Sequence, residues 1–272
     1  MLRFATRGLT VLLAFAPVAL AVDGTVLINQ STSTNGLTGC PTGGHFPIII
    51  CQPGSYKLSS NLTVPDANTD GIDITADNVT VDLNGFSLLG PTVCHGSPIT
   101  CIRNNGTASG NGISSSNANI VVMNGQIKGM GFNGISLAGT KSRVQNIQAT
   151  SNVNHGIFVG DSSVVSLCTA SSNGGTGIFA NGSDVVTGNL VSFNVNGIKS
   201  ANQAALISGN SVLSSSSIGI QAICPSLISG NIVSLNADNS QLFDTVGNLL
   251  VDGNLGGTGS SVGGCVLANN AP

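Results

Sequence analysis

A Gly-Ile pair recurs at Gly112-Ile113, Gly134-Ile135, Gly156-Ile157, Gly177-Ile178, Gly197-Ile198 and Gly219-Ile220, a step of roughly 21 to 22 residues. A fixed period of that length marks a solenoid, in which each repeat buries its apolar side only by stacking on its neighbours. Other columns keep the same beat. Val144, Val165, Val186, Ile207 and Ile228 form one, and Ala149, Ala170, Val191, Val212 and Val233 another. Asn152, Asn173, Asn194 and Asn236 form a third with Ser215 in the open slot, and Cys168, Asn189, Asn210 and Asn231 a fourth that Asn254 extends.

The apolar clusters are short and bounded by Gly, Asn or Ser, which predicts strands of a few residues, and no segment offers a helical stripe of useful length. Three short strands per turn without a helix give a parallel β-helix. The leucine-rich alternative wants several leucines and an Asn in one fixed frame, which is absent. In such a coil like residues stack about 4.8 Å apart, and Asn side chains at the turns bond along the stack while tolerating left-handed backbone. The abundance of Asn and Gly is therefore structural before it is functional.

The chain has 272 residues, a formal charge of −3 and no Glu, and 41% hydrophobic residues placed in period supply a core despite only 7% charged residues. No basic footprint for nucleic acid exists. Residues 1–21 read as a secretory signal peptide, with Arg3 and Arg7 before an apolar run from Leu9 to Leu20 and a small-x-small cleavage site at Ala19-Leu20-Ala21. No later segment is apolar enough over a sufficient length to span a bilayer. These features predict a secreted or cell-surface protein with no transmembrane segment after cleavage.

Cysteines in an exported chain predict disulfides. Cys40 and Cys51 flank a Pro/Gly turn and the strand-like run Phe46–Ile50, and Cys94 and Cys101 flank a short loop, so each couple is paired. Cys168 stands in an Asn column and reads as a buried free thiol. Cys224 and Cys265 pair only if the tail folds back. No spacing of Cys or His suits zinc.

Residues 22–70 read as an N-terminal cap and first coil, including a hairpin-like stretch over Ile48–Ile50, Tyr56–Leu58 and Leu62–Val64. Residues 71–254 form the β-helix of about 8 coils, interrupted by an insertion at about 91–110, and 255–272 a Gly/Ser-rich tail. Insertions in repeat proteins lie on one face, often the binding face.

The run GSYKLSSNLTV from Gly54, the run ITADNVTVDLNGF from Ile74 and the following Asn-Gly-Ile repeats resemble secreted bacterial right-handed parallel β-helix proteins of the pectin-lyase-like fold group. The resemblance covers about residues 48–254 and implies an all-β, single-stranded right-handed solenoid. It does not imply one activity, because that group includes lyases, hydrolases, epimerases, adhesins and proteins without known activity. Lyases of the group use an Arg or Lys base with Asp-bound calcium, but here no Asp cluster accompanies Lys57, Arg103, Lys128, Lys141, Arg143 or Lys199; Lys141 and Arg143 read as turn residues. The polygalacturonase motifs are absent too, and His155 occupies a turn slot filled by Asn111, Asn133 and Asn196 in other coils.

Two candidate sites follow. Asp73 points outward between Ile72 and Ile74 by strand alternation. If the insertion overhangs that strand, His95 and Arg103 join Asp73 in a catalytic constellation of carboxylate, imidazole and guanidinium. The second candidate is the outward row Ser114, Ser136, Phe158, Phe179, Lys199 and Gln221, whose stacked Phe158 and Phe179 beside Lys199 suit a sugar ring. The row is too mixed for the regular Thr face of an ice-binding coil. Missing motifs and scarce charge favour a non-catalytic surface, adhesive or glycan-binding module with polysaccharide or cell-surface glycan as partner and no cofactor. The alternative is a polysaccharide lyase, hydrolase or epimerase at Asp73, with calcium only if it is lyase-like.

Overall fold

A computed structural model of the chain describes residues 24–96, 99–102, 108–223, 225–236 and 249–252. The predicted signal peptide, Arg103, Cys224, Cys265, Asn254 and the C-terminal tail lie outside these residues.

Each coil contributes one strand to an eight-stranded parallel sheet that carries the Gly-Ile pairs. Its strands are Ile48–Ile50, Ile72–Ile74, Ile113–Ser115, Ile135–Leu137, Ile157–Val159, Thr176–Ala180, Asn196–Ser200 and Ile220–Gln221. They are numbered below as rungs one to eight. The remaining strands of the coils join a second, sixteen-stranded sheet that bends at its middle. The bend is made in left-handed backbone by Asn124, Asn146, Leu167, Gly188, Gly209 and Gly230, with φ between 53° and 66°. Asn and Gly meet that requirement with little strain.

The columns of the sequence are the rungs of the structure. Val144, Val165, Val186, Ile207 and Ile228 pair in register, as do Ala149, Ala170, Val191, Val212 and Val233. Both columns are buried along the coil interior. Two buried amide ladders run beside them, one at the turn between the second column and the Gly-Ile sheet and one at the turn between the two columns. Asn152 Nδ2 donates to Asn173 Oδ1 at 2.9 Å, and Asn173 Nδ2 to Asn194 Oδ1 at 3.0 Å. Asn189, Asn210 and Asn231 repeat the pattern at 2.9 Å. Ser215 fills its slot by donating its backbone N–H to Asn236 Oδ1 at 2.7 Å. Cys168, a free buried thiol, heads the second ladder with its N–H on Asn189 Oδ1 at 2.9 Å. Burial pushes this thiol up to about 11, which keeps it protonated and unreactive.

The glycines Gly134, Gly156, Gly177 and Gly219 of the Gly-Ile pairs are demanded by the first of these ladders. A Cβ on Gly156 would lie 2.7 Å from both Asn173 Nδ2 and the Gly177 carbonyl of the next rung. Only the missing side chain lets the turn amides approach the sheet this closely.

Two sequence expectations need correction. Ile48–Ile50 and Gly54–Leu58 do not form a hairpin. The first pairs in parallel with Ile72–Ile74 and the second with Val79–Asp82, so the two strands belong to different sheets. Arg143 is not a turn residue but begins the strand Arg143–Thr150, while Lys141 keeps its turn position at φ 61°. Ahead of the first full coil, Val26–Ile28 pairs with Tyr56–Leu58 and the one-turn helix Thr32–Asn35 follows. Cys40 and Cys51 are disulfide-bonded within the first coil, and Cys94 and Cys101 within the insertion.

Candidate functional site

The outward positions of the Gly-Ile sheet align in one row: Ile49, Asp73, Ser114, Ser136, Phe158, Phe179, Lys199 and Gln221. Alternation along each strand sends the flanking residues into the core and these outward. The row from Ser114 to Gln221 is the one read from the sequence. Its two ends differ in chemistry.

At the aromatic end, the Phe158 and Phe179 rings are 5.5 Å apart and tilted by 41°. Lys199 Nζ stands 5.6 Å from the centre of the Phe179 ring, within cation–π range. The His155 ring adds a third member, 5.0 Å from Phe179. His155 does serve as a turn residue, since its Nδ1 accepts the Thr176 backbone N–H at 3.1 Å and its own N–H donates to Asn133 Oδ1 at 3.0 Å. That bond makes Nε2 the protonated nitrogen of the neutral ring. Burial, reinforced by the Lys199 charge, lowers the imidazole to about 4. At neutral pH it is therefore an uncharged donor bordering two phenyl faces and an ammonium. All four side chains are partly exposed.

The acidic end holds more than the sequence reading assigned. Asp70, in the residue slot preceding Gly71, accepts the Asn111 backbone N–H at 2.6 Å. Ser114 Oγ lies 2.6 Å from Asp70 Oδ2 and 3.3 Å from Asp73 Oδ1. One hydroxyl proton serves one carboxylate at a time, and the shorter contact marks Asp70 as its acceptor. Burial and then the Asp70 charge raise Asp73, against the lowering contact from Ser114. Asp73 is thus the weaker acid of an ordinary Asp, poised to hold a proton more readily.

The insertion does not bring His95 beside Asp73. It leaves the coil next to Gly129, onto whose carbonyl the Thr92 N–H bonds at 2.8 Å. It then folds as an antiparallel pair, Val93–His95 with Thr100–Ile102. The Sγ atoms of Cys94 and Cys101 each lie 3.6 Å from the Asn152 carbonyl oxygen, and Cys101 Sγ packs at Gly174. Those turns feed rungs five and six. Asp73 is on rung two, so the residue preceding His95 is held about 14 Å away along the axis at ~4.8 Å per rung. The disulfide-pinned loop borders the aromatic end of the row instead. His95 itself is exposed, and Arg103 lies outside the described residues.

Among the described residues no group of three or more His, Cys or Asp side chains could hold a metal ion, and no helix is long and apolar enough to cross a membrane.

No family model and no curated protein sequence matches the chain. Solved structures do. The Dettilon tailspike protein aligns at TM-score 0.47 and 14% identity over 76% of this chain and 52% of its own. The enzymatically active domain of tailspike protein 2 from bacteriophage CBA120 aligns at TM-score 0.50 and 13% identity over 79% of this chain and 38% of its own. A double mutant of the periplasmic alginate epimerase AlgG aligns at TM-score 0.49 and 13% identity over 81% and 70%. The chain thus spans about half the length of the first tailspike and less of the second. Likeness at such identity concerns architecture. The stacked coils and their register make this chain a parallel β-solenoid, an architecture in which it is similar to the second tailspike domain.

Proposed function

We propose that the protein is an exported, non-catalytic glycan-binding β-helix, and that it holds an acidic polysaccharide along rungs five to seven. The observation that carries this reading is the cluster of Phe158, Phe179, His155 and Lys199 on one partly exposed row. Phenyl faces take the C–H side of a pyranose ring. Successive rungs rise by about 4.8 Å, close to the advance of an extended sugar chain per unit. Lys199 supplies a charge for a uronate carboxylate, and the His155 Nε2–H a neutral donor for a hydroxyl. The described contacts of the cluster include no carboxylate, so it offers recognition without a general acid of its own. Two disulfides fit an oxidising, extracytoplasmic compartment.

A second reading, hydrolysis or lyase chemistry at the acidic end, is favoured by one observation. Asp70 and Asp73 share Ser114 Oγ, and Asp73 is raised. Paired carboxylates, one of them raised so that it holds a proton more readily, are what glycoside hydrolysis uses. Calcium belongs to this reading only in its lyase form, with Asp70 and Asp73 as the carboxylates present to hold it.

Incubation of the protein with a panel of acidic and neutral polysaccharides, with and without calcium, separates the two. Retention on acidic polymers without new chain ends or unsaturated product supports the binding module. Turnover lost in Asp73→Asn would replace it with the enzyme.

A further inference from the structure

The even stacking of the second sheet is broken at its bend near the start of the solenoid. Four residues separate Asp82 from Ser87, whereas two separate their register partners Met123 and Gln126, and two again separate Gln145 from Gln148. The extra pair throws Asn84–Phe86 outward as a bulge. Phe86 packs partly on the core. Gly85 stands at the rim with φ 79° and nothing within 4 Å of where a Cβ would be. Below this step lies an open cleft of about 450 Å³ lined by Gly85, Ser87, Asn124, Gln126, Asn146 and Gln148. That size falls within the ~300–1,000 Å³ of small-molecule sites.

The lining is amide and hydroxyl throughout, and its orientation is fixed from behind. Asn124 Nδ2 donates to Asp82 Oδ1 at 3.1 Å, so Asn124 Oδ1 turns to accept Asn146 Nδ2 at 3.0 Å. The ladder then stops, because the next coil places Leu167 at this left-handed slot. Asn146 Oδ1 is left as an acceptor at the cleft. Ser87 Oγ and Gln126 Oε1 meet at 3.3 Å, which leaves Gln126 Nε2 as a donor. Gln148 follows Gln126 in the same outward column. Of the charges beside the lining, Asp82 is already engaged by the Asn84 N–H at 2.8 Å and balanced by Lys57 at 3.9 Å, while the exposed Lys128 stands two residues beyond Gln126 on the same strand and outside the lining. A row of primary amides one rung apart, with no net charge, matches a ligand dense in hydroxyls and itself uncharged.

We infer that this step is a second saccharide site, specific for a neutral oligosaccharide and separate from the aromatic row, which belongs to the other sheet. Isotope-labelled protein titrated with maltohexaose, cellohexaose, mannohexaose and, as the charged comparison, hexagalacturonate tests it. The side-chain amide signals of Gln126 and Gln148 shift with at least one neutral hexasaccharide. The shift persists in Phe158→Ala/Phe179→Ala, and affinity falls at least tenfold in Gln126→Ala/Gln148→Ala, whose outward side chains leave the melting temperature at its wild-type value. No shift with any neutral hexasaccharide, shifts with hexagalacturonate alone, or an affinity unchanged in Gln126→Ala/Gln148→Ala when read from the Asn146 side-chain amide each overturn the inference.

Discussion

Replacing Asp184 by Asn is predicted to stabilise the protein, and only above a definite pH. Asp184 is 1% exposed and stands in the column of turn residues Ser142, Ser163, Ala205 and Ser226. Its Oδ1 accepts the Ser163 N–H at 2.7 Å, but Oδ2 has no partner. Burial raises this carboxyl from 3.8 to about 6, the Ser163 and Gly182 N–H groups pull it back, and the Asp161 charge adds to the rise. Below 3.8 the group is protonated in folded and unfolded chains alike and contributes nothing. As pH climbs, the unfolded chain releases its proton first, so stability is lost progressively up to about 6 and the loss is constant beyond. A shift of that size corresponds to about 3 kcal/mol at neutral pH. Asn keeps the Ser163 contact and cannot ionise; whatever its Nδ2 costs without an acceptor is independent of pH. Denaturant unfolding of Asp184→Asn and the parent at pH 3.5 and pH 7 isolates the effect, because every other titration cancels in the difference. The variant gains ~2–3 kcal/mol on moving from the lower to the higher pH. An identical difference at both pH values would refute the argument from burial.

Other consequences are as open to measurement. Asn173→Ala removes the side chain that accepts Asn152 Nδ2 and donates to the Ala149 carbonyl and Asn194 Oδ1. With ~1–3 kcal/mol for each buried polar group left unpaired, the loss is roughly 3–5 kcal/mol in denaturant unfolding, against a negligible change for the exposed Gln203→Ala. A nuclear magnetic resonance titration is predicted to place the His155 imidazole at about 4, below its usual 6.5, so its share of stability is complete above 6.5 and disappears as pH falls through about 4. Lys199→Gln moves that titration upward but leaves it below 6.5, because burial is the larger cause.

The columns were legible because a solenoid repeats one packing solution. The Gly-Ile pairs, the amide ladders and the row from Ser114 to Gln221 follow from period and alternation alone. What escaped lies where the repeat is interrupted. Asp70 occupies the same slot before glycine as Asn111 and His155, a signal present in the sequence, but its contact with Ser114 depends on a neighbour 44 residues away. The path of the insertion is set by its disulfide resting on Asn152, which no local pattern encodes. Short strands around a corner also look like a hairpin when the parallel partners are a full coil away, as happened with Ile48–Ile50 and Gly54–Leu58. The bulge at Asn84–Phe86 reads as an ordinary Asn-Gly turn until the register of the next coil shows two residues too many.

The measurement that bears most directly on the proposed role is calorimetric titration of the folded protein with hexagalacturonate at low and high salt. The aromatic row predicts saturable binding that weakens with salt through Lys199. It also predicts a fall of about tenfold in Phe179→Ala, from ~1–1.5 kcal/mol of ring contact, with the oligosaccharide recovered intact. Binding unchanged in Phe158→Ala/Phe179→Ala and in Lys199→Gln, or the absence of binding in the parent, would contradict it.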